Sequence, residues 1–231
     1  MERLDKILTS LGYANRKEVQ NLIKRGHVAV NGIVTKDIKQ KANHDNITFL
    51  GEKLDPKSLV IVMNKPSNVV CSHNDAGKLI YSLLPDRWQR RDPKISTVGR
   101  LDSDTTGVII LTDDGRLNHE LTSPKKHIKK IYKVTLSDPL KGNEVDIFAS
   151  GELMLRGDKK PCMSAKLTII DPFNVYLELF EGRYHQVKRM FGAIGNKVVK
   201  LHREQFANIR VDDLKEGEYK VVSKEDIIKY V

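Results

Sequence analysis

Near the start of the chain, apolar residues recur first with the spacing of helices and then with that of strands. One helix is predicted to end near Gly12, and its apolar face consists of Leu4, Ile7, Leu8 and Leu11. A second helix is predicted to begin at Asn15, where Glu18 completes a capping box, and to end near Gly26. The Asn-Gly pair in "HVAVNGIVTKD" lies between β-branched runs and predicts a hairpin, and "NITFL" adds a last strand.

Beyond residue 59 the pattern changes to short, strongly apolar runs separated by turns. The runs that predict strands are "LVIVMNKP", "KISTV", "GVIILT", "IYKVTL", "AKLTII", "VYLELF", "KVVKLH" and "EYKVV". Helices are predicted at residues 116–121, 143–149, 185–194 and 224–230. Strands outnumber helices and many are one turn apart, which favours an α+β fold with a mixed, mostly antiparallel sheet and flanking helices.

A polar segment, "GEKLDPKSL", separates these two patterns and is the best candidate for a linker. We therefore predict a small N-terminal domain over residues 1–52, a linker over residues 53–58 and a larger domain over residues 59–231.

Composition narrows the class of protein. Hydrophobic residues make up 39% and charged residues 30% of the 231 residues, as in a soluble globular protein. No apolar run approaches the roughly 18 residues that span a membrane, and "MERLDKILTS" carries charges where a signal peptide is apolar. Cys71 and Cys162 lack CxxC spacing, and no GxGxxG, Walker or HExxH motif occurs. We expect a cytoplasmic protein with no membrane partner, no cofactor and no metal.

The charge balance points to a polyanionic partner. Lys and Arg number 40 against 30 Asp and Glu, a formal net charge of +10, and cations that neutralise phosphates release condensed counterions. A merely soluble basic protein fits the balance as well. On or beside the first two predicted helices lie Arg3, Lys6, Arg16, Lys17, Lys24 and Arg25. Such a set fits either an RNA-binding face or a solvated one.

One long motif favours the RNA-binding alternative. The stretch "RLDKILTSLGYANRKEVQNLIKRGHVAVNG" resembles an S4 domain, a small RNA-binding module, and the match covers roughly residues 2–45. The resemblance implies that the six basic residues contact RNA.

An unusual concentration of acid lies in "STVGRLDSDTTGVIILTDDG". Asp113 and Asp114 directly follow a predicted strand and precede a helix, so a turn or helix cap explains them. Asp102 and Asp104 instead lie in a loop between two predicted strands, where catalytic groups are commonly mounted. Arg100 beside them would keep a carboxylate ionised.

The loop by itself is compatible with two kinds of chemistry. One is a single reactive carboxylate, and the other is a glycosidase-type pair in which Asp102 is the acid and Asp104 the base, roughly 5–10 Å apart. Glycosidase clefts are rich in aromatic residues, whereas this chain is 6% aromatic with one Trp. The composition therefore disfavours the pair.

The stretch "GRLDSDTTGVIILTDDG" resembles the catalytic motif of pseudouridine synthases, in the RsuA branch of that family. The resemblance implies that Asp102 is the catalytic carboxylate, that Arg100 and Leu101 contact the substrate, and that Asp104 occupies a variable, architectural position. The implied reaction converts a uridine of RNA to pseudouridine without a cofactor, after the base is flipped out of the RNA stack.

Two further motifs match the same family. On residues alone, Tyr132 in "KKIYKVTL" also fits a core strand position. The resemblance makes it the pocket tyrosine, which would stack on the base and assist removal of the C5 proton. In "EGRYHQVKRMFGAIGN", helical geometry places Lys188 at the flank of the apolar face and Arg189 nearly opposite. The resemblance implies that Lys188 pairs with Asp102, which leaves Arg189 for phosphate, and His185 fits a helix start or an RNA contact.

Two shorter matches complete the expected pocket. Lys65 in "MNKPSNVVCS" is expected at the pocket rim or on a phosphate, and Asn68 replaces a family glycine in a turn that calls for positive φ. Leu201 in "VVKLHRE" is expected to pack under the pocket.

The resemblance implies a monomer that acts on ribosomal RNA, with uridine 516 of 16S RNA as the target. Free RNA and a partly assembled small subunit are both compatible with the sequence. A 23S-specific sister enzyme and a non-catalytic RNA-binding or assembly factor are the alternatives. The presence of Asp102, Tyr132 and Lys188 argues against the non-catalytic one.

Overall fold

The N-terminal part of the chain forms two helices packed on a small sheet. We describe a computed structural model of residues 1–229, and residues 230 and 231, which close the predicted last helix and second domain, lie outside it. In chain order the N-terminal elements are β1 (Glu2–Arg3), α1 (Leu4–Ser10), α2 (Arg16–Lys24), β2 (Val28–Val30), β3 (Ile33–Thr35), β4 (Lys41–Ala42), β5 (Ile47–Phe49) and β6 (Glu52–Lys53).

Local signals explain these elements. The Asn15 side chain accepts a hydrogen bond from the Glu18 amide at 3.0 Å, and the Glu18 carboxylate accepts one from the Asn15 amide at 3.3 Å, so the predicted capping box is confirmed. Asn31 and Gly32 have φ of 50° and 78°, as a two-residue hairpin turn between β2 and β3 requires. The apolar faces of α1 and α2 pack with the sheet β3–β2–β5–β6 into a separate core.

The segment between the two domains is fixed in place. Lys53 still pairs with Thr48, one residue beyond the predicted boundary, and Leu54 packs into the N-terminal core. The next residue, Asp55, accepts two hydrogen bonds from the Arg87 guanidinium at 2.7 and 2.8 Å and one from Trp88 Nε1 at 3.0 Å. We call these contacts the Asp55 clamp. They attach the connection to the second domain, although the division into domains stays a prediction.

The second domain is built on one mixed sheet. Its strands are β7 (Val60–Lys65), β8 (Ser96–Thr97), β9 (Thr106–Thr112), β10 (Lys130–Leu136), β11 (Lys166–Asp171), β12 (Asn174–Leu179), β13 (Val198–Phe206) and β14 (Tyr219–Val222). Its helices are α3 (Asp86–Gln89), α4 (Gly115–Thr122), α5 (Glu144–Ala149), α6 (Gln186–Ala193) and α7 (Lys224–Ile228). The order is β11–β12–β10–β13–β9–β7–β14, with β8 beside β9. Within residues 1–229 its neighbouring strands are antiparallel except for β13 and β9, so the predicted fold class is confirmed.

Both faces of the central strands are buried, which accounts for the continuous apolar run at residues 108–111. Side chains alternate across a strand, so Ile109 and Leu111 join the core beneath α5 and α6, whereas Val108 and Ile110 join the core beneath α4 and α7. The strand therefore lies between two apolar layers and has no solvent-facing side.

The parallel joint between β9 and β13 depends on Gly107. Gly107 has φ of +105°, and a Cβ atom there would lie 2.2 Å from the carbonyl oxygen and 2.6 Å from the amide nitrogen of Arg203. Beside this contact, Thr106 Oγ1 and His202 Nδ1 are 2.7 Å apart and share a hydrogen bond. The absence of a side chain at residue 107 thus lets the two strands approach each other.

We expect Gly107→Ala to lower the free energy of unfolding by about 2–4 kcal/mol, since backbone strain and overpacking each cost about 1–3 kcal/mol. The control is Gly115→Ala, because a Cβ at residue 115 meets no atom within 4 Å and the φ there is not positive. Urea denaturation of both variants checks this, and equal stability of the two would contradict the role given to Gly107.

Candidate active site

The loop that joins β8 to β9 carries Asp102 and is held from below by Lys65. The Lys65 side chain is fully buried, and its Nζ donates hydrogen bonds to the carbonyl oxygens of Pro66, Ser103 and Thr105 at 3.0, 3.1 and 2.9 Å. Burial lowers the pKa of Lys65. The expectation of a cation at the pocket rim or on a phosphate is therefore corrected, because three loop carbonyls occupy the ammonium group.

Asp102 lies between two side chains from the region of α6, the Lys188 ammonium group and the His185 imidazole. Its Oδ2 is 3.0 Å from Lys188 Nζ, and its Oδ1 is 3.3 Å from His185 Nε2. The Asp102 side chain keeps 23% of its surface exposed, so a substrate can still reach it. The structure thus brings together the two residues whose pairing the resemblance implied.

Lys188 also binds Asp104, for which the family resemblance implied no part in the site. Lys188 Nζ is 2.6 Å from Asp104 Oδ1, and this hydrogen bond lowers the pKa of Asp104. Burial acts to lower the pKa of Lys188, but hydrogen bonds to Asp104 and Asp102 outweigh it, and the net shift is upward. One ammonium group thus binds both carboxylates of the loop, and the architectural role implied for Asp104 stays a prediction.

The two basic residues of α6, Lys188 and Arg189, point to different sides of the helix. Val187, Met190 and Phe191 enter the core, and Lys188 at their flank reaches Asp102. Arg189 points away, as predicted, but it is not a free cation. Its guanidinium pairs with Asp158 and donates to the carbonyl oxygens of Arg156 and Tyr184 at 2.8 and 3.1 Å. Arg189 therefore fastens the loop around residue 158 to the helix, a contact that sequence spacing does not reveal.

A cleft of about 900 Å³ opens beside Asp102. Tyr132 lies in its wall with 9% of its surface exposed, opposite Arg203 on β13 and Leu177 on β12. Leu101 and Leu201 are also buried lining residues, and Arg100 lines the cleft while remaining exposed. The volume lies in the range of pockets that hold small organic molecules.

Two cleft residues, Lys130 and Arg203, were missed by the sequence reasoning. Lys130 lies two residues before Tyr132, and Arg203 two residues after Leu201. Burial, assisted by the nearby Arg203 charge, lowers the pKa of Lys130 to about 8. Residues two apart in a strand share a face. Once Tyr132 and Leu201 were expected in the pocket, Lys130 and Arg203 could therefore have been expected there as well.

The basic residues of the N-terminal domain divide into two groups. The carboxylate of Asp5 is fully buried and accepts hydrogen bonds from Arg3 and Arg16, while Lys6 pairs with Glu2 at 3.0 Å. These three cations are partly compensated, which corrects the picture of one uniformly free basic face. Within residues 1–229 no ion pair is formed by Lys17, Lys24 or Arg25.

The acidic residues after β9 are structural. Asp114 caps α4 by accepting hydrogen bonds from the amides of Arg116 and Leu117, as its sequence position predicts. Asp113 instead pairs with the buried Arg91 at 2.7 Å and accepts from the Leu59 amide at 2.8 Å, so it secures the start of β7.

The positive φ expected at residue 68 is present: Asn68 has φ of 60° in the turn after β7. Among residues 1–229 no group of three or more His, Cys, Asp or Glu side chains is arranged to hold a metal ion. None of the helices described for this part of the chain has the length and apolarity to cross a membrane.

Family models give the class of protein. Residues 2–45 match the S4 domain, and residues 59–193, which include the loop of Asp102 and the whole of α6, match the RNA pseudouridylate synthase family. The chain belongs to that family and is an RNA pseudouridine synthase. This excludes the glycosidase and the non-catalytic alternatives.

Full-length relatives agree with this assignment. The chain is 44% identical over 236 residues to the ribosomal small subunit pseudouridine synthase A of Pasteurella multocida, with 99% of each chain covered. It is 42% identical over 237 residues to the protein of the same name from Haemophilus influenzae, again with 99% of each covered. A solved structure, "Crystal structure of pseudouridylate synthase", matches with a TM-score of 0.69 at 40% identity over the whole of both chains.

We expect Lys188→Met to slow pseudouridine formation by on the order of 100-fold, because truncating one partner of a partly buried charge pair typically costs about 2–5 kcal/mol. Without the ammonium group, Asp102 loses the hydrogen bond and ion pair that hold its Oδ2. Single-turnover kinetics provide the measurement. Arg189→Met, one residue along the helix, is the control and should keep a rate close to that of the wild type, since Arg189 binds Asp158. A loss of rate in Arg189→Met but not in Lys188→Met would show that Lys188 does not support Asp102 in the reaction.

Proposed function

We propose that this enzyme isomerises one uridine of small-subunit ribosomal RNA, uridine 516 of 16S RNA, with Asp102 as its catalytic carboxylate. The observation that carries the proposal is the position of Asp102 in the cleft, partly exposed and bound by Lys188 and His185. The full-length relatives named ribosomal small subunit pseudouridine synthase A support the choice of RNA.

The cleft suits a flipped uridine. Extrusion of a base from an RNA stack costs a few kcal/mol, and stacking on an aromatic ring returns about 1–3 kcal/mol per base. Tyr132 supplies that ring from β10, and Leu201 supplies an apolar floor from the neighbouring strand β13. Both residues are nearly buried, so the uracil would be removed from water as it enters.

The chemistry exchanges one bond to the sugar for another. The N1–C1′ bond breaks, the uracil turns, and C5 bonds to C1′; the proton on C5 leaves and N1 gains one, so no electrons or atoms are exchanged with another molecule. Asp102 acts in its ionised form beside the sugar, and Lys188 and His185 hold its two oxygens. The proposal gives the Tyr132 hydroxyl the role of assisting removal of the C5 proton.

The N-terminal domain supplies the second RNA contact. Its cations Lys17, Lys24 and Arg25 lie on or at the end of α2, and the Asp55 clamp holds this domain against α3. The proposal implies that the protein works in the cytoplasm on RNA bound across both domains. A single polypeptide suffices for this arrangement, as expected for a monomer.

The decisive experiment maps pseudouridine in all ribosomal RNAs of cells that lack this protein. Loss of the modification at uridine 516 of 16S RNA alone, with restoration by the intact gene, is the expected result. Loss at a 23S position instead would show that the protein is the 23S-specific sister enzyme. An unchanged map would refute ribosomal RNA as its substrate.

Asp102→Asn should lower the single-turnover rate by on the order of 1,000-fold or more, since it removes the charge of the catalytic group but little of its shape. Its affinity for RNA should change little. Asp104→Asn is the matched variant: Asp104 also binds Lys188 but is 63% exposed, so its loss should cost no more than about tenfold. Equal losses in both variants would point to a pair of cooperating carboxylates.

Replacing Lys17, Lys24 and Arg25 together by Gln should weaken RNA binding and flatten its salt dependence. Each lost phosphate contact lowers the slope of log affinity against log salt by about 0.7–0.9. Binding titrations over a range of salt concentrations give this slope. Lys220→Gln on the edge strand β14 is the control, because Lys220 pairs with Asp213. If the triple variant has the same slope of log affinity against log salt as the wild type, these three residues do not contact RNA.

A further inference from the structure

Arg203 is a buried cation without a counterion. Its side chain lies in the cleft wall, and the residue is 2% exposed. Its Nε donates to the Val108 carbonyl oxygen at 2.7 Å. Within residues 1–229, Nη2 is buried with no hydrogen-bond partner, and no carboxylate forms an ion pair with this guanidinium. Because arginine keeps its proton in proteins, the charge remains.

A second cation lies close by on the adjacent strand. Lys130 Nζ donates to the Ile128 carbonyl oxygen at 2.8 Å, and it lies 5.7 Å from the centre of the Phe206 ring. The Arg203 guanidinium lies 5.2 Å from the centre of the same ring. Lys130, Arg203 and Phe206 all line the cleft, and we call them the cationic wall. With a pKa of about 8, Lys130 is still mostly protonated at neutral pH.

The carboxylate in this part of the cleft is already engaged. Glu181 Oε1 accepts hydrogen bonds from Gln186 Nε2 at 2.6 Å and the Met163 amide at 3.0 Å, and Glu181 Oε2 accepts one from Arg183 Nε at 3.0 Å. Glu181 thus has partners of its own. The cationic wall keeps two like charges near each other, which costs free energy unless an anion binds between them.

The position of the wall shows which anion fits. Arg203 is directly opposite Tyr132 in the β10–β13 ladder, and Lys130, two residues before Tyr132 and beyond a register shift, is opposite Phe206. An anion there lies next to the ring on which the flipped base would stack. Uracil is neutral, whereas each nucleotide of RNA carries a phosphodiester charge, and arginine binds phosphate oxygens with two parallel hydrogen bonds.

We propose that Arg203 and Lys130 form a phosphate-binding subsite that receives a phosphodiester group of the RNA strand beside the flipped uridine. This subsite rests on the proposed entry of uridine into the cleft. It holds the strand by its backbone while the base lies on Tyr132, and it gives the two unpaired wall cations their counterion.

The test compares normal and methylphosphonate linkages in a synthetic RNA hairpin spanning uridine 516 of 16S RNA. A methylphosphonate removes the charge of one phosphate with little change of shape, and each linkage flanking the uridine is replaced in turn. With wild-type protein, one replacement should weaken binding about tenfold or more, the size of a lost charge-assisted hydrogen bond. With Arg203→Gln the same replacement should cost less than about twofold, since its partner is gone.

Lys130→Gln is a second variant, at a less buried residue. Thermal melting shows whether Arg203→Gln folds, and if it does not, the methylphosphonate penalty in Lys130→Gln tests the subsite. Lys220→Gln on β14 is the matched control and should keep the full wild-type penalty. A methylphosphonate penalty that stays the same in wild type and in whichever wall variants fold overturns the subsite. So does a variant that binds every RNA like wild type but loses the chemical step, because the wall would then contact the uracil.

Failure of the subsite and failure of the proposed function give different results. If the hairpin is modified but no linkage shows the expected penalty, the function stands and the subsite is wrong. If the penalty appears in wild type and is lost in the wall variants, although the uridine remains unmodified, the subsite stands and the proposed target is wrong.

Discussion

The close approach of β9 and β13 at Gly107 is the constraint on which the site depends. It joins two antiparallel groups of strands, one of which leads out of the loop of Asp102 while the other carries Tyr132, Leu201 and Arg203. A side chain at residue 107 would collide with the Arg203 backbone. Asp102 and Tyr132 line one cleft because these two groups of strands meet there without a gap.

The charges of the cleft are compensated to different degrees. Lys65 is satisfied by carbonyl oxygens, and Asp102 is satisfied by Lys188 and His185. Within residues 1–229, the groups that contact Arg203 and Lys130 are backbone acceptors and one aromatic ring. The groups that hold the loop and the reactive acid in place are thus complete in the free protein, whereas those facing the proposed path of the RNA strand are incomplete. Such a distribution concentrates the unsatisfied charge where a polyanion enters.

Sequence periodicity was sufficient to predict the strands of the second sheet, the main helices, the hairpin and the caps at Asn15 and Asp114, because these depend on neighbours within a few residues. The two-residue strands β1, β4 and β6 were not predicted, since they are too short to show a period. A helical wheel, which needs only the apolar face, put Lys188 at the flank of α6, whereas its pairing with Asp102 was implied by the family resemblance. The destinations of Lys65, Arg189 and Asp104 could not be predicted in this way. Lys65 meets carbonyls some forty residues later in the chain, and Arg189 meets Asp158 on a separate loop. Such pairings arise only once the sheet has assembled.

The Asp55 clamp has a consequence for the choice of RNA. Two binding surfaces on a flexible tether accept many spacings, at a local concentration that falls as the tether lengthens. Here Arg87 and Trp88 fix the tether, so the interval between α2 and the cleft is a set length. If RNA binds across both domains as proposed, the two surfaces accept only nucleotides at a matching separation. An RNA with the right nucleotides at another separation would have to give up one surface or break the clamp, so the spacing would add discrimination that no base contact provides.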